Sequence, residues 1–139
     1  MHFNVYPEKI REDLRNSIMA EYAGKAVVFV RYDMSNISSV ECLNELDSYI
    51  AAADPEKVVF VLMDEWHGYP DRNAWLRFVK NRHGEHYGSR GANLNLVYSA
   101  YDTIVRDGLF YELYRPDGTL VVSTKDGTAA KKAIDSLMW

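Results

Sequence analysis

The sequence has one cysteine among its 139 residues, Cys42, so the chain cannot form a disulfide within itself. It has no apolar run of the length needed to cross a bilayer, and its first residues lack the basic and then apolar order of a signal peptide. These absences predict a cytoplasmic protein with no membrane partner, although a chain trimmed of an export signal would look the same. A lone cysteine fits a reducing compartment and equally a disulfide-free exported domain.

Positive charge is also scarce. The 16 Lys and Arg residues are outnumbered by 20 Asp and Glu residues, which gives a net charge of -4. Binding of nucleic acid requires basic patches that neutralise phosphates, so nucleic acid is excluded as a partner. Internal repeats, low-complexity tracts and Pro/Ser-rich linkers are absent as well. We therefore predict a single domain over residues 1–139, with a helical segment over residues 1–23 packed on it.

Two short apolar runs stand out from the polar remainder of the N-terminal half. Ala26–Val30 and Val58–Leu62 consist of β-forming residues, which predicts central strands that are buried on both faces. A capping box from Ser38 to Glu41 predicts the start of the helix between them. The polar, glycine-rich stretch Glu85–Asn93 predicts a loop.

Further elements are predicted along the rest of the chain. They are a helix that begins at Pro70-Asp71 and ends near His83-Gly84, a strand over Asn95–Tyr98, a short helix or turn over Tyr101–Asp107, a hairpin of Phe110–Tyr114 and Leu120–Ser123, and a last helix from about Thr128. Strands separated by helices and followed by a hairpin predict an α/β fold with a mixed sheet and helices on both faces.

Four segments resemble, in order, those of the peroxiredoxin and TlpA/ResA-type branch of the thioredoxin-like superfamily. They are the strand opening Gly24–Val30, the next strand Val58–Asp64, the helix end Phe78–Gly84 and the hairpin Leu113–Val121. The similarity runs from roughly Gly24 to the C-terminus. It implies a thioredoxin-like three-layer sandwich, in which a mixed central sheet has helices on both faces.

The chain departs from that family at the residues that carry its chemistry. The family has a Cys-x-x-Cys motif at the start of the helix after the first strand, and a cis-proline that faces it. Here Asn36-Ile37-Ser38-Ser39 stands at the motif, and Leu109 and Phe110 stand near the proline position. The resemblance therefore implies a redox-inactive domain that binds an unknown protein or small-molecule ligand, without a cofactor or a metal.

The candidate ligand-binding residues are Tyr32, Asn36, Ser39 and Phe110. In the implied fold, the helix that begins near Ser39 points its positive end at the loop from Tyr32 to Ser38, and the turn before the hairpin faces that loop. We expect an exposed Tyr32 and Asn36 to offer polar contacts and Phe110 to form an apolar wall.

Cys42 supports an alternative function, that of a single-cysteine thiol peroxidase or oxidoreductase. Its spacing from Ser39 resembles the Thr-x-x-Cys motif of peroxiredoxins. On a helix that begins at Ser38, however, Cys42 points in the same direction as Leu46 and Ile50. Free cysteine behaves as a small hydrophobic residue, so we expect Cys42 to be buried and chemically slow.

Acidic and histidine residues support a weaker alternative, a metal-dependent hydrolase. They lie in two segments, one with Asp64, Glu65, His67 and Asp71 and the other with His83, Glu85 and His86. These segments could supply ligands if they met, but the histidine spacing matches no known metal motif, so we predict no metal. Three aromatic residues of this region could form a second binding surface or a satellite core: Trp66, Tyr69 and Trp75.

Overall fold

The computed structural model describes residues 2–3, 11–64, 72–88 and 107–138. These ranges contain six strands, which are β1 (His2–Phe3), β2 (Ala26–Tyr32), β3 (Val58–Asp64), β4 (Glu85–Gly88), β5 (Phe110–Tyr114) and β6 (Leu120–Thr124). They also contain four helices, which are α1 (Arg11–Glu21), α2 (Ile37–Ala52), α3 (Arg72–Val79) and α4 (Gly127–Met138). The predicted strand Asn95–Tyr98 and all of the predicted Tyr101–Asp107 segment except its last residue lie outside the described residues.

The six strands form one mixed sheet in the order β1-β4-β3-β2-β5-β6. Strands β2 and β3 are parallel at its centre and pair along their full length, from Ala26 opposite Val58 to Tyr32 opposite Asp64. Strand β5 runs antiparallel to β2 and begins the hairpin with β6. The predicted α/β class, mixed sheet and C-terminal hairpin are therefore confirmed.

The two faces of β2 explain its continuous apolar sequence. Alternate side chains of a strand point to opposite faces. Val28 and Val30 therefore join a large cluster with Leu46 of α2, whereas Val27 joins a smaller cluster with Ile18 of α1. Because both faces are covered by helices, the strand shows no alternation of polar and apolar residues over Ala26–Val30. The sandwich of helices on both sides of the sheet is confirmed.

Helix α2 begins earlier than the sequence suggested. Its N-cap is Asn36, whose side-chain oxygen accepts a hydrogen bond from the backbone N–H of Ser39 at 2.8 Å. The predicted capping box from Ser38 to Glu41 is therefore wrong. Asparagine satisfies the free N–H groups of a helix end as well as serine does, and here it stands two residues ahead.

Residues 89–93 of the predicted loop Glu85–Asn93 lie outside the described residues, and the prediction is wrong for its first four residues, which form strand β4. Its residues Glu85–Gly88 pair in parallel with β3 and with β1. The strand is polar in composition, but His86 and Tyr87 are both buried by their positions inside the sheet. Helix α3 also differs from its prediction, since it ends at Val79, several residues before His83-Gly84. No helix in the described part of the chain combines the length and apolar character that a membrane span requires.

Candidate functional site

Asn36 and Ser39 form a hydrogen-bonded pair, and they are the first and last residues of the segment that the resemblance aligns with the Cys-x-x-Cys motif. Besides the capping bond between them, the buried Ser39 hydroxyl accepts the backbone N–H of Asp33 at 2.9 Å. The loop from β2 to α2 is therefore fixed by polar contacts. Since Ser39 is fully buried, it supports the loop and offers no surface to a ligand.

The start of α2 is joined to the segment before β5. The side-chain amide of Asn36 donates a hydrogen bond to the carboxylate of Asp107 at 3.1 Å, across 71 residues of sequence. Asn36 thus uses its oxygen to cap the helix and its nitrogen to hold the facing loop. We call this contact the Asn36–Asp107 link. None of the peptide bonds in the described ranges is cis, and Leu109 is buried in the core near the position of the family proline.

The expected exposure of Tyr32 is wrong. Strand β2 continues as far as Tyr32, whose side chain shares the face of Val28 and Val30 and is 0% exposed. Its ring stacks on Phe78 of α3, with 5.8 Å between the centroids. Burial raises the pKa of Tyr32 well above its ordinary value, and the carboxylate of Asp64 adds to the rise. Tyr32 is therefore a core residue between β2 and α3, and it offers no surface to a ligand.

Phe110 lies on the other face of the sheet from Tyr32. It pairs with Arg31 across β5 and β2, and the buried Arg31 guanidinium lies 4.9 Å from the centre of the Phe110 ring. A strand reverses its side-chain direction at each residue, so Phe110 and Arg31 point away from the face that carries α2. The structure therefore does not bring the four predicted contact residues together in one groove. Asn36 and Phe110 are both half-buried, on different faces.

Ile37 is a candidate contact residue that the sequence did not reveal. It is the first residue of α2, directly after Asn36, and 76% of its surface is exposed. An isolated exposed apolar residue is common, so it is the position of Ile37 beside the polar contacts of Asn36 that makes it a candidate. The helix boundary was the missing information, since a helix that begins at Ser38 leaves Ile37 in the preceding loop.

Cys42 is half-buried and not fully buried as we expected. It packs against the larger core cluster and also lines a cavity of about 240 Å³ between α2 and α4. Six of the residues around this cavity carry polar or reactive groups: Cys42, Glu45, Tyr111, Lys125, Thr128 and Lys131. We call this space the Cys42 cavity. The thiol therefore has access to a space that the helix pattern alone did not predict.

The acidic and histidine residues of the metal alternative take separate partners. The side chain of Asp64 accepts the backbone N–H of Met34, at 3.1 Å. His83 is exposed and binds the carboxylate of Asp47 at 2.9 Å. His86 is buried and its Nε2 lies 3.0 Å from the backbone oxygen of His83, and burial lowers the pKa of His86 to about 4.

These contacts do not form a ligand set. Among the described residues there is no group of three His, Cys, Asp or Glu side chains that could hold a metal ion. The residues Glu65, His67 and Asp71 lie outside the described ranges. In the aromatic alternative, Trp75 is fully buried, while Trp66 and Tyr69 also lie outside the described ranges.

Solved structures with the same architecture include two thiol-disulfide proteins and yeast Sco1. The thioredoxin domain of a thiol-disulfide oxidoreductase from Bacteroides vulgatus is 10% identical, with a TM-score of 0.66 over 86% of this chain and 84% of that chain. A thiol-disulfide isomerase from Corynebacterium glutamicum is 12% identical, with a TM-score of 0.66 over 99% and 94% of the two chains. Yeast Sco1 is 14% identical, with a TM-score of 0.55 over 84% and 82%.

Sequence comparison adds nothing to this result. The chain matches no protein-family model and no curated protein. The structural similarity extends over most of both chains, but at these identities it shows the fold and not the chemistry. The neighbours agree with the resemblance to a thioredoxin-like fold, and the single cysteine is consistent with the absence of a Cys-x-x-Cys motif. The chain therefore has the thioredoxin-like fold.

Proposed function

We propose that this chain is a single thioredoxin-like domain that binds a partner through the start of α2 and carries out no redox chemistry there. The contact surface consists of Met34, Asn36, Ile37 and Asp107, which we call the α2 end surface. The exposure of Ile37 is the observation that carries the proposal. An apolar side chain that protrudes beside a fixed polar loop can bury area on a partner at little cost in ordering.

The polar residues around Ile37 support binding and not catalysis. Asn36 is held by the Asn36–Asp107 link and by its capping bond, so neither of its polar atoms needs to move. The carboxylate of Asp33 accepts the backbone N–H and the hydroxyl of Ser35. None of these groups is a thiol or an imidazole, and all of them are already hydrogen-bonded, which favours a rigid contact surface.

The chemistry of the surface defines the class of partner. Asp33 and Asp107 place two carboxylates near the exposed Ile37, without a lysine or arginine among residues 33–39. A protein segment with an apolar side chain flanked by basic residues would complement this arrangement. A partner of this kind would bind more weakly as salt is added, because the carboxylates lie near solvent and are screened.

Site-specific photo-crosslinking tests the location of binding. A photoreactive residue placed at position 37 is compared with one at position 120, since Leu120 is the other large apolar side chain that is exposed in the described ranges, at 51%. We expect a cross-linked partner from position 37 and none of the same mass from position 120. Equal yields from the two positions would contradict the assignment to the α2 end surface.

The thiol enzyme is a second candidate, because Cys42 lines a cavity. Turnover separates the two functions. A single-cysteine peroxidase consumes peroxide through many cycles when a reducing thiol is supplied, and Cys42→Ser abolishes that consumption. The binding function predicts no consumption above that of the Cys42→Ser chain.

A further inference from the structure

We propose that the Cys42 cavity is a modification site, where Cys42 forms a mixed disulfide with a small anionic thiol by exchange with the disulfide of that thiol. The site is separate from the α2 end surface and does not depend on the binding function. Its walls come from α2, from the start of β5 and from the start of α4. A volume of about 240 Å³ suits a small molecule and not a peptide segment.

Tyr111 is the first sign that this cavity is suited to a ligand. Tyr111 is only 5% exposed. Its hydroxyl lies close to Gly127, since a Cβ atom at position 127 would be 3.2 Å from the hydroxyl oxygen. Burial raises the pKa of Tyr111 to about 12, and the charges of Cys42 and Glu45 add to the rise. No residue in the described ranges hydrogen-bonds to this hydroxyl. The hydroxyl oxygen is not among the fully buried unpaired atoms of the described residues, so it reaches the cavity and can donate a hydrogen bond to a bound polar molecule.

The charges around the cavity favour an anion. Lys125 and Lys131 supply two positive charges and Glu45 supplies one negative charge, so the lining carries a net charge of +1. The ammonium of Lys131 also lies 5.4 Å from the centre of the ring of Tyr49, a residue of α2 that does not itself line the cavity.

The backbone at the start of α4 does not provide the anion contact. The carboxylate of Asp126 already accepts the N–H groups of Thr128 and Ala129, at 2.9 Å and 3.2 Å. These two N–H groups are therefore occupied and do not hold the anionic groups of a ligand. The ammonium groups of Lys125 and Lys131 and the hydroxyls of Tyr111 and Thr128 are the donors around the cavity.

The exchange reaction balances without any further oxidant. The Cys42 thiol releases its proton to solvent, and its sulfur attacks one sulfur of the small disulfide. A bond forms between Cys42 and that sulfur, and the sulfur–sulfur bond of the reagent breaks. The other half leaves as an anionic thiolate, so Cys42 is oxidised and the leaving half is reduced. The chain has no second cysteine to resolve the product, so the adduct persists until an external thiol removes it.

Two disulfide reagents of different charge test the proposal on the full chain. Dithiobis(nitrobenzoate) carries two carboxylates, and dithiodipyridine is uncharged at neutral pH. The second-order rate of each is measured with the folded chain and with the same chain unfolded in urea, which corrects for the intrinsic reactivity of the reagents. Every adduct is at Cys42, since it is the only cysteine. Mass spectrometry confirms one addition per chain.

The expected result is a preference for the anionic reagent that is about tenfold greater in the folded chain than in the unfolded one. The double variant Lys125→Gln/Lys131→Gln removes this preference, and Glu45→Gln increases it. The rate with the uncharged reagent stays within about twofold in each variant. Lys132→Gln is the matched control, because Lys132 is exposed and follows Lys131 on α4 without lining the cavity.

Three results would overturn the proposal. The first is a Cys42 that reacts with neither reagent in the folded chain. The second is an equal preference in the folded and unfolded chains. The third is a loss of preference in Lys132→Gln as large as in the double variant. Circular dichroism shows whether each variant is folded. If the double variant is not folded, the opposite effect of Glu45→Gln decides the question.

Discussion

Replacing Asn36 with aspartate separates the two hydrogen bonds that this side chain makes. Aspartate caps a helix as well as asparagine, so the bond from the Ser39 N–H to residue 36 is retained. It has no N–H group, however, so it cannot donate to the carboxylate of Asp107. Asn36→Asp therefore breaks the Asn36–Asp107 link, leaves the cap in place and brings two carboxylates together.

The size of the effect follows from the exposure of the pair. Loss of the hydrogen bond costs about 0.5–1.5 kcal/mol. Repulsion between two unit charges about 4 Å apart in water adds about 1 kcal/mol, reduced by salt. Because Asp107 is exposed and Asn36 is half-buried, we expect the free energy of unfolding to fall by about 1–2 kcal/mol in total.

Urea unfolding at neutral pH measures the loss, and a charge exchange provides the rescue. In Asn36→Asp/Asp107→Asn the amide and the carboxylate change places, so the donor is restored and most of the lost stability should return. Asn44→Asp adds the same charge to an exposed position of α2, far from Asp107 in sequence, and should cost much less. If Asn36→Asp is as stable as the parent chain, or if the exchange gives no rescue, the Asn36–Asp107 link does not stabilise the site.

Three further perturbations test other parts of the structure. The pKa of His86 is held near 4, below its ordinary 6.5, so the unfolded chain takes up the proton at a higher pH than the folded chain does. The free energy of unfolding should therefore fall by about 2 kcal/mol between pH 7 and pH 5. Urea titrations at the two pH values measure this fall, and His86→Gln should remove it. Gly84→Ala should cost about 1–3 kcal/mol, because Gly84 has a φ of +99° and its added methyl would collide with the buried Leu62. Gly24→Ala, at a φ of +90° in open space, should cost less in the same thermal unfolding assay. Cys42→Ser should lower the unfolding free energy by about 1 kcal/mol or less, since Cys42 is half-buried.

The elements that could be predicted from the sequence are those with a strong local signal. Strands β2 and β3 are apolar on both faces, which only a central, doubly covered strand requires. The hairpin of β5 and β6 has a proline and glycine turn, in which Gly118 has a φ of +90°. Both signals are local, so neither depends on the rest of the chain. Strand β4 has no such signal, because its polar residues are buried only by the neighbours β1 and β3.

The candidate site was predicted less well, because it depends on where elements end. Strand β2 is two residues longer than predicted, so Tyr32 belongs to the strand and is buried in the core. Helix α2 begins at Ile37, so this exposed residue belongs to the helix and not to the preceding loop. The alternation along β5 then places Phe110 on the face opposite Tyr32. An error of one or two residues reverses a side chain in a strand, and so it changes which residues can form a site.

The Cys42 cavity could not be predicted from the helix pattern. The direction of Cys42 along α2 was correct, since it packs against the larger core cluster. The space beside it depends on how α4 approaches α2 over Tyr111, a contact between residues that are far apart in sequence. Periodicity describes one face of one helix and contains no information on the fit between two helices.

The affinity of the captured partner for three variants tests the central claim most directly. Titration calorimetry compares the parent chain with Cys42→Ser, Ile37→Ser and the matched surface variant Leu120→Ser. A binding domain without redox chemistry predicts unchanged affinity for Cys42→Ser and for Leu120→Ser, and a dissociation constant at least about tenfold higher for Ile37→Ser. Loss of binding in Cys42→Ser, together with unchanged affinity in Ile37→Ser, would contradict the claim.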